Sequence, residues 1–435
     1  MQNVDYAAAT AASRETNVSV LELSNDQQTA LDSICRWFTD AYSSQVFVLA
    51  GYAGTGKSTL IQYAVKALGL DPKLDVAYLA YTGKAASVLR IRGCNGQTIH
   101  SFQYRLLEQD EKTRKLRFVR KNVDTMFIKL VIVDEISMVS GYILEDLISS
   151  GIKILMVGDP CQLPPVSNND PELNAPRGIC GTEYLQKPNA LLTNIHRQAV
   201  QNPILALSQH IREGHMRFTP GQYADENGVN RLTIIHPDDF WNDASWLQYM
   251  TRCEQVLVGT NNTRRNVNAT MRGLMGLTSE VDDLPVRGDK LICTYNNWDV
   301  PFVDSVGGVV DYVTNGSICV ATSEIHNYDR RHRLFNVDLQ STVYPDAGIK
   351  SAVVSSQPFD NRAPKYIKLP THIKQQLLQM DYGWAVTTHK AQGSEFDSVV
   401  VVDESQCFGE SRSRWLYTAV TRASKYLTLV TRNTV

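Results

Sequence analysis

The sequence predicts an α/β protein of two parallel-sheet halves, each interrupted by an insertion. Three observations carry that prediction. An apolar run, Gln45 to Ala50, feeds a glycine-rich turn and then Ser58 to Leu68, where Leu60, Ile61, Ala64, Val65 and Leu68 recur at helical spacing. Short apolar strands alternate with helical patterns up to about Gly214, and again from Gln255. Between Gly288 and about Met380 the texture changes to short strands broken by Gly and Asn turns, as in VGGVVDYVTNGSICVATS, which reads as a small β-barrel-like insertion.

Taken in order, the first half places strands at Val46–Ala50, Val76–Tyr81, Leu130–Val133, Ile154–Val157 and Ala190–Asn194. Between the second and third, YRLLEQDEKTRKLRFVRK forms two alternating runs around a charged turn, a β-hairpin set into the α/β frame. Asn202-Pro203 opens a helix through Arg212 that ends near Gly214, because Pro suits a first helical turn and Gly an exit. Arg217 to Trp246 reads as a polar, aromatic-bearing connector. The second half starts with the strand Gln255–Gly259 and the helix Asn262–Met275. It resumes with Ala385–Thr388, Ser398–Val402, the helix Arg412–Ala423 and the strand Tyr426–Val430. The domain plan is a flexible tail at 1–20 and a first unit at 21–216 with its hairpin at about 103–123. A second unit spans 217–287 and 381–435, around the insertion at 288–380.

A chain of 435 residues exceeds one ordinary core, in keeping with that plan. With 43% hydrophobic and 20% charged residues and no apolar run near membrane-span length, a membrane protein is not expected. The start, MQNVDYAAATAASRETN, lacks a basic end and a continuous apolar segment, so it reads as a frayed tail rather than a signal peptide. The eight cysteines are scattered, with no C-x-x-C pair and no Cys–His cluster, which points to reduced thiols in a cytoplasmic protein. A net charge of −2 neither requires nor excludes nucleic acid, whose binding needs only a local basic track. KTRKLRFVRK, Lys112 to Lys121, is one candidate, with a solvated basic hairpin as the equal alternative.

The chemistry begins at Gly51-Tyr-Ala-Gly-Thr-Gly-Lys57-Ser58, which fits the phosphate-binding pattern G-x-x-x-x-G-K-[ST] between a strand and a helix. Glycines let backbone N–H groups curl around a phosphate at the positive end of the helix. Gly51, Ala53, Gly54, Thr55, Gly56, Lys57, Ser58 and Thr59 are the candidate contacts. Among them Lys57 bridges the β- and γ-phosphates and Ser58 ligates Mg²⁺. LVIVDEISM then delivers Asp134 and Glu135 to the carboxyl end of a strand, Asp134 toward Mg²⁺ through water and Glu135 to accept a proton from attacking water. In MVGDPCQLPPV, Gln162 sits in a proline-stiffened turn where it can touch the γ-phosphate and a neighbouring element. Two arginines, Arg197 in LTNIHRQ and Arg422 in WLYTAVTRA, are candidates to spread γ-phosphoryl charge, a contribution of roughly 10³–10⁵ in rate.

GYAGTGKST, YTGKAA, TIHSF, VIVDEISMV, GDPCQLPPV, HRQ, VTTHKAQGSEFDSVVV and YTAVTRA occur in this order between Leu23 and Val430. The series resembles helicase motifs I, Ia, Ib, II, III, IV, V and VI of superfamily-1 DNA helicases of the RecD/Pif1/Dda branch, most like a Dda-type or RecD-like member. SNDQQTA, Ser24 to Ala30, resembles the motif that reads adenine, with Gln27 as the contact. The resemblance implies two RecA-like P-loop domains that use ATP and Mg²⁺ to move 5′ to 3′ on single-stranded DNA and unwind duplex at a fork. It also implies a β-hairpin pin in the first domain and an SH3-like barrel in the second. The Pro301–Gly308 and Tyr344–Thr371 stretches of that barrel are longer than the minimal pattern. By the same resemblance Thr82, Lys84, Thr98, His100, Ser101, Thr388 and His389 line the DNA track, and Gln392, Gly393 and Glu395 link it to the nucleotide. Phe102 or Tyr104 either stacks on a base or belongs to the core. A monomer is expected, with single-strand-binding or replication proteins as candidate partners and no nuclease activity. The alternative is a DNA-stimulated translocase or accessory subunit that does not unwind by itself.

Overall fold

The computed structural model describes residues 23–109, 116–120, 127–165, 178–194, 202–279, 283–359 and 369–434. The expected tail at 1–20, Arg197, and most of the charged turn of the hairpin lie outside them.

The first half forms around strands with two apolar faces. The strands of this half are β1 (Val46–Gly51), β2 (Val76–Ala80), β3 (Gly96–Thr98), the hairpin β4 (Tyr104–Gln109) and β5 (Leu116–Arg120), β6 (Leu130–Asp134), β7 (Lys153–Gly158) and β8 (Ala190–Leu192). Phe47 and Leu49 point into one cluster with Leu130, Ile132, Leu155 and Val157. Val48 and Ala50 point into another with Val131, Val133, Ile154 and Met156. Period-two alternation with both faces buried is what makes these strands continuous apolar runs. The parallel sheet runs β3-β2-β6-β7-β1-β8, and the hairpin stands apart as its own two-stranded pair. Helices α1 (Asn25–Thr39), α2 (Lys57–Ala67) and α3 (Gly83–Ile91) accompany it. The short strand β3 escapes prediction because three residues, Gly-Gln-Thr, carry no alternation to read.

The second half holds β9 (Gly221–Ala224), β10 (Asn230–Ile235) and β11 (Gln255–Val258) before the insertion. Nine strands follow, from β12 (Lys290–Cys293) through β13 (Asn297–Asp304) and β14 (Val309–Val313) to β20 (Met380–Tyr382). After them come β21 (Ala385–Thr387), β22 (Phe396–Val402) and β23 (Ala423–Val430), and the sheet order is β21-β11-β22-β23-β10-β9. Two sequence expectations change here. Arg217 to Trp246 is not a connector, since β10 pairs in parallel with β23 inside the sheet and Leu232 and Ile234 enter its core. Its polar flanks hid a short strand. The helix Pro203–Arg212, expected in the first unit, packs Ile204, Leu207 and Ile211 against Trp415, Leu427 and Leu429 of the second.

The insertion is a mostly antiparallel sheet with its own core, around Phe302, Cys319, Phe335, Val337 and Val354. It reaches back to α3 by an ionic clasp. Asp311 of β14 accepts from Ser87 Oγ at 2.5 Å, from Arg90 Nη2 at 2.6 Å and from Tyr344 OH at 3.1 Å. Gly83 allows this approach, because a Cβ there would stand 1.9 Å from Thr314 Oγ1.

Truncating Asp311 removes the acceptor of Arg90 Nη2 at a mostly buried contact, leaving Arg90 its bond to Gly96 O and Ser87 its bond to Gly83 O, a loss of about 2 kcal/mol once the partial exposure of Arg90 is discounted. Asp311→Ala is therefore expected to speed amide hydrogen exchange in α3 and β14 by about 30-fold, with β6 and β7 unchanged. Unaltered exchange in α3 would show that the clasp contributes nothing.

Candidate active site

The phosphate turn is built by strand and helix geometry. β1 delivers Gly51, the chain reverses through Gly54 and Gly56 at φ 76° and 78°, and α2 starts at Lys57. Only glycine adopts that left-handed pair without strain, so the N–H groups between them converge. An open cavity of about 500 Å³ lies over the turn, lined by Gly54, Gly56, Lys57, Ser58 and Thr59. Lys57 Nζ bends over the turn to donate to the carbonyls of Gly51 at 2.8 Å and Tyr52 at 3.0 Å. Thr55 is fully buried and donates its hydroxyl to Tyr52 O at 2.8 Å, bracing the loop from within.

Gln27 supports the turn from behind. Its carboxamide donates to Thr55 O at 2.9 Å and accepts from Ser24 N–H at 3.0 Å, and the residue is 1% exposed. The expected adenine contact therefore finds a side chain already engaged with the loop.

Asp134 of the acidic pair forms a wall behind Ser58, lining a smaller cavity with it. Asp134 ends β6, and Glu135 turns out of it at φ 54°. Burial, then the adjacent Glu135 charge, push the Asp134 carboxyl up to about 6. Gln162 connects this wall to the second half. In the amide orientation its neighbours satisfy, its nitrogen donates to Glu135 Oε2 at 2.8 Å and its oxygen accepts from Arg422 Nη2 at 3.1 Å. Arg422, 6% exposed, is aimed by Nε to Thr418 O and Nη1 to Ser394 O, both at 3.1 Å. Two distant motifs thus meet at one carboxamide.

Sequence reasoning missed the residue that seals this seam. Tyr417 is 1% exposed; its hydroxyl donates to Asp159 Oδ2 at 2.6 Å and accepts from Ala53 N–H at 3.0 Å. Burial, and then the Asp159 charge, drive its phenol well above the ordinary tyrosine range. Its signal was its place five residues before Arg422, one helical turn and a half away on Arg412–Val420. Beside it Leu163 N–H donates to Thr418 Oγ1 at 3.0 Å, and Gln392 Nε2 donates to Leu163 O at 3.2 Å. Gln392 thereby reaches the Gln162 turn rather than the cavity. Glu395 is exposed, and Gly393 packs on Thr82 and Ala85.

The expected DNA track divides. Thr82 and Thr98 cap short helices, accepting from Ala85 N–H and Ser101 N–H; Thr82, His100 and Ser101 are half-buried, whereas Thr98 is corrected to a buried position, 5% exposed. Phe102 is corrected to core, 6% exposed among Ile99, Val139 and Leu144. Tyr104 gives its hydroxyl to Asp146. Thr388 is corrected too, being fully buried with its hydroxyl on Val258 O at 3.4 Å; the neighbouring His389 is half-buried beside Phe408. Lys84 does not stand on an open groove. Its ammonium lies 4.2 Å from the centre of the Phe396 ring, across the seam. Burial, then the Lys290 charge, draw it down to about 7, and burial draws Lys290 itself down to about 8.

Comparison with known proteins places this geometry in a family. Residues 22–233 match an AAA domain model, and residues 382–430 match the UvrD-like helicase C-terminal domain. The chain is 25% identical over 412 residues to the ATP-dependent RecD2 DNA helicase of Deinococcus radiodurans, covering 92% of this chain and 48% of that protein. It is 24% identical over 430 residues to the ATP-dependent DNA helicase Pif1 of Campylobacter jejuni, covering 88% of this chain and 87% of that one. The chain belongs to the RecD/Pif1 family of superfamily-1 helicases. It spans about half the length of the Deinococcus relative. A Bacteroides Pif1 helicase solved with ADP-AlF3 and ssDNA has the same fold, with a TM-score of 0.53 at 18% identity over 95% of this chain and 94% of that one. That match fits a RecA-like parallel-sheet core, and the antiparallel sheet fits an insertion domain in this RecD/Pif1 member. Among the described residues no helix is long and apolar enough to cross a membrane.

Lys84 gives the seam a pH dependence. The closed seam binds fewer protons than an open one between about 7 and the ordinary lysine range, so raising pH favours closure, and the cost is fully present below about 7. Fluorescence transfer between dyes on the two halves is expected to rise from pH 6 to pH 9. Lys84→Met should flatten most of that rise, and an unchanged profile in this variant would remove Lys84 as its source.

Proposed function

We propose that this RecD/Pif1-family chain is an ATP-dependent DNA helicase that moves 5′ to 3′ on single-stranded DNA and separates duplex ahead of it. The observation that carries the reading is the Gln162 carboxamide held between Glu135 of the first half and Arg422 of the second. A nucleotide in the cavity beside that bridge is sensed by both halves at once.

The residues suit ATP. The cavity over the glycine turn has the room, the converging N–H groups have the polarity, and Lys57 holds loop carbonyls that it can exchange for phosphate oxygens. Ser58 and Asp134 are the hydroxyl and carboxylate that suit Mg²⁺, which would neutralise charge on the phosphates. The burial that raises the Asp134 carboxyl is the setting a divalent cation reverses. Glu135 orients and deprotonates water, Gln162 reports the γ-phosphate, and Arg422 turns from Gln162 to the phosphoryl group as charge develops. Arg197 is the second arginine of this scheme by family resemblance. Loss of the γ-phosphate frees Arg422 and Gln162 and loosens the seam.

DNA comes to this reading from the relatives, since the Bacteroides Pif1 neighbour was solved with ssDNA and another Pif1 structure concerns forked dsDNA. The half-buried hydroxyls of Thr82 and Ser101 and the helix starts at Gly83 and Ile99 suit successive phosphates read without sequence preference. The hairpin β4–β5 sits next to that face and suits a wedge at a fork, where each base-pair step costs about 1.4 kcal/mol.

Strand displacement on duplexes with a 5′ or a 3′ single-stranded overhang tests the proposal. Unwinding from the 5′ overhang alone is expected, unwinding from the 3′ overhang alone would overturn the polarity, and ATP turnover without displacement would leave a translocase. Lys57→Ala should abolish turnover while single-strand binding persists. Arg422→Ala should lower kcat by roughly 10³ with modest change in nucleotide affinity.

A further inference from the structure

Arg92 follows the last turn of α3 and is exposed, and its guanidinium makes no hydrogen bond or ion pair with the described residues. A cation at a helix carboxyl end is favourable on its own, which explains an arginine there but not where its side chain goes. It lines the cavity over the glycine turn, opposite Gly56, Lys57 and Ser58. It also lines a smaller cavity of about 20 Å³ that runs behind Ser58 to Asp134, and its charge acts on that carboxylate. The motif series leaves this residue out, because its second member ends at Ala86.

We propose that Arg92 is a further phosphate-binding residue, contacting the phosphate chain of the nucleotide from the α3 side of the cavity. The proposal rests on the reading of that cavity as the ATP site. A guanidinium offers a planar fork of donors that matches phosphate oxygens, and an unpaired one beside an anion site gains without losing a previous partner. The contact also has a mechanical meaning. α3 is nine residues, a rod of about 13 Å, whose first turn carries Thr82 and Lys84 at the seam and whose flank holds the insertion through Arg90 and Asp311. Arg92 ties the nucleotide to the far end of the same rod.

The experiment is equilibrium binding of a fluorescent ATP analogue, N-methylanthraniloyl-ATP, with steady-state ATPase kinetics, for the full chain and three variants. Arg92→Ala is expected to weaken binding and raise KM for ATP about tenfold with kcat within about twofold, and Arg92→Lys to recover part of the loss. The loss should appear both in Mg²⁺ and in EDTA, because the contact is with phosphate. A loss confined to Mg²⁺ would mean that Arg92 acts through Asp134 and would overturn the proposal, as would an unchanged Kd and KM. Lys57→Ala separates the two readings. If the parent chain binds no analogue, or Lys57→Ala binds as well as the parent, the ATP site itself falls. If binding depends on Lys57 but not on Arg92, only the role of Arg92 falls. An unchanged circular dichroism melt for Arg92→Ala is expected, since the residue is exposed.

Discussion

The rest of the molecule depends on how the second half grips the phosphate turn of the first. The grip is polar and buried: Tyr417 spans Ala53 and Asp159, Thr418 and Gln392 hold the two sides of Leu163, and Gln162 joins Glu135 to Arg422. Except for Gln162 to Glu135, each donor has its acceptor across the seam, so opening it exchanges protein partners for water at a modest net cost per bond. An apolar seam would resist opening in proportion to its area. Leu163, 2% exposed in the core of the second half, supplies a fixed apolar point around which those bonds can change. A contact with these properties can be tipped by a few kcal/mol, the scale on which one phosphate acts.

Helix α3 plays the same part on the other side of the cleft. Its amino end meets Gly393 and Phe396 of the second half, its flank meets Asp311 of the insertion, and its carboxyl end meets the cavity wall. A nine-residue helix packed at three places moves as a unit or not at all. Displacement at any one contact is therefore felt at the others, through rigid geometry rather than through a chain of loosely coupled side chains.

Much of this was legible in the sequence because it is periodic or local. Strands buried on both faces leave apolar runs, and the glycine turn leaves a spacing that only a phosphate loop needs. Lys57 and Ser58 line the cavity over that turn, and Asp134 ends the strand that its apolar run marks, as the spacing implies. What was not legible depends on the third dimension. Thr388 and Phe102 occupy motif positions, yet the sheet and helices over them leave no surface. Gln27 belongs to a motif for a base, but α1 aims it at Thr55 O. β10 was lost in a polar stretch because a strand of six residues between turns carries little signal, although its partner β23 was found. Tyr417 lies within its motif, yet nothing in a linear spacing says that a phenol will face an aspartate 258 positions away.

The lysines at the seam show why a family pattern and a local environment can both be right. By pattern Lys84 faces a phosphate backbone; by position it stands over Phe396 with Lys290 near enough to oppose its charge. Lys290 already donates to Glu254 O and Gln255 Oε1, so Lys84 is the ammonium left to gain, and an entering phosphate is the partner that would relieve it. Under the proposed function the closed seam without DNA is therefore the strained arrangement of this side chain, and a strand that enters it gains the attraction Lys84 does not find in Lys290. Polynucleotide and proton then act on the same equilibrium in opposite senses at Lys84, the strand holding the ammonium charged and rising pH removing the charge. Binding that draws on this relief takes up protons near neutral pH, a signature that a surface lysine on an open groove, charged throughout this range, does not produce.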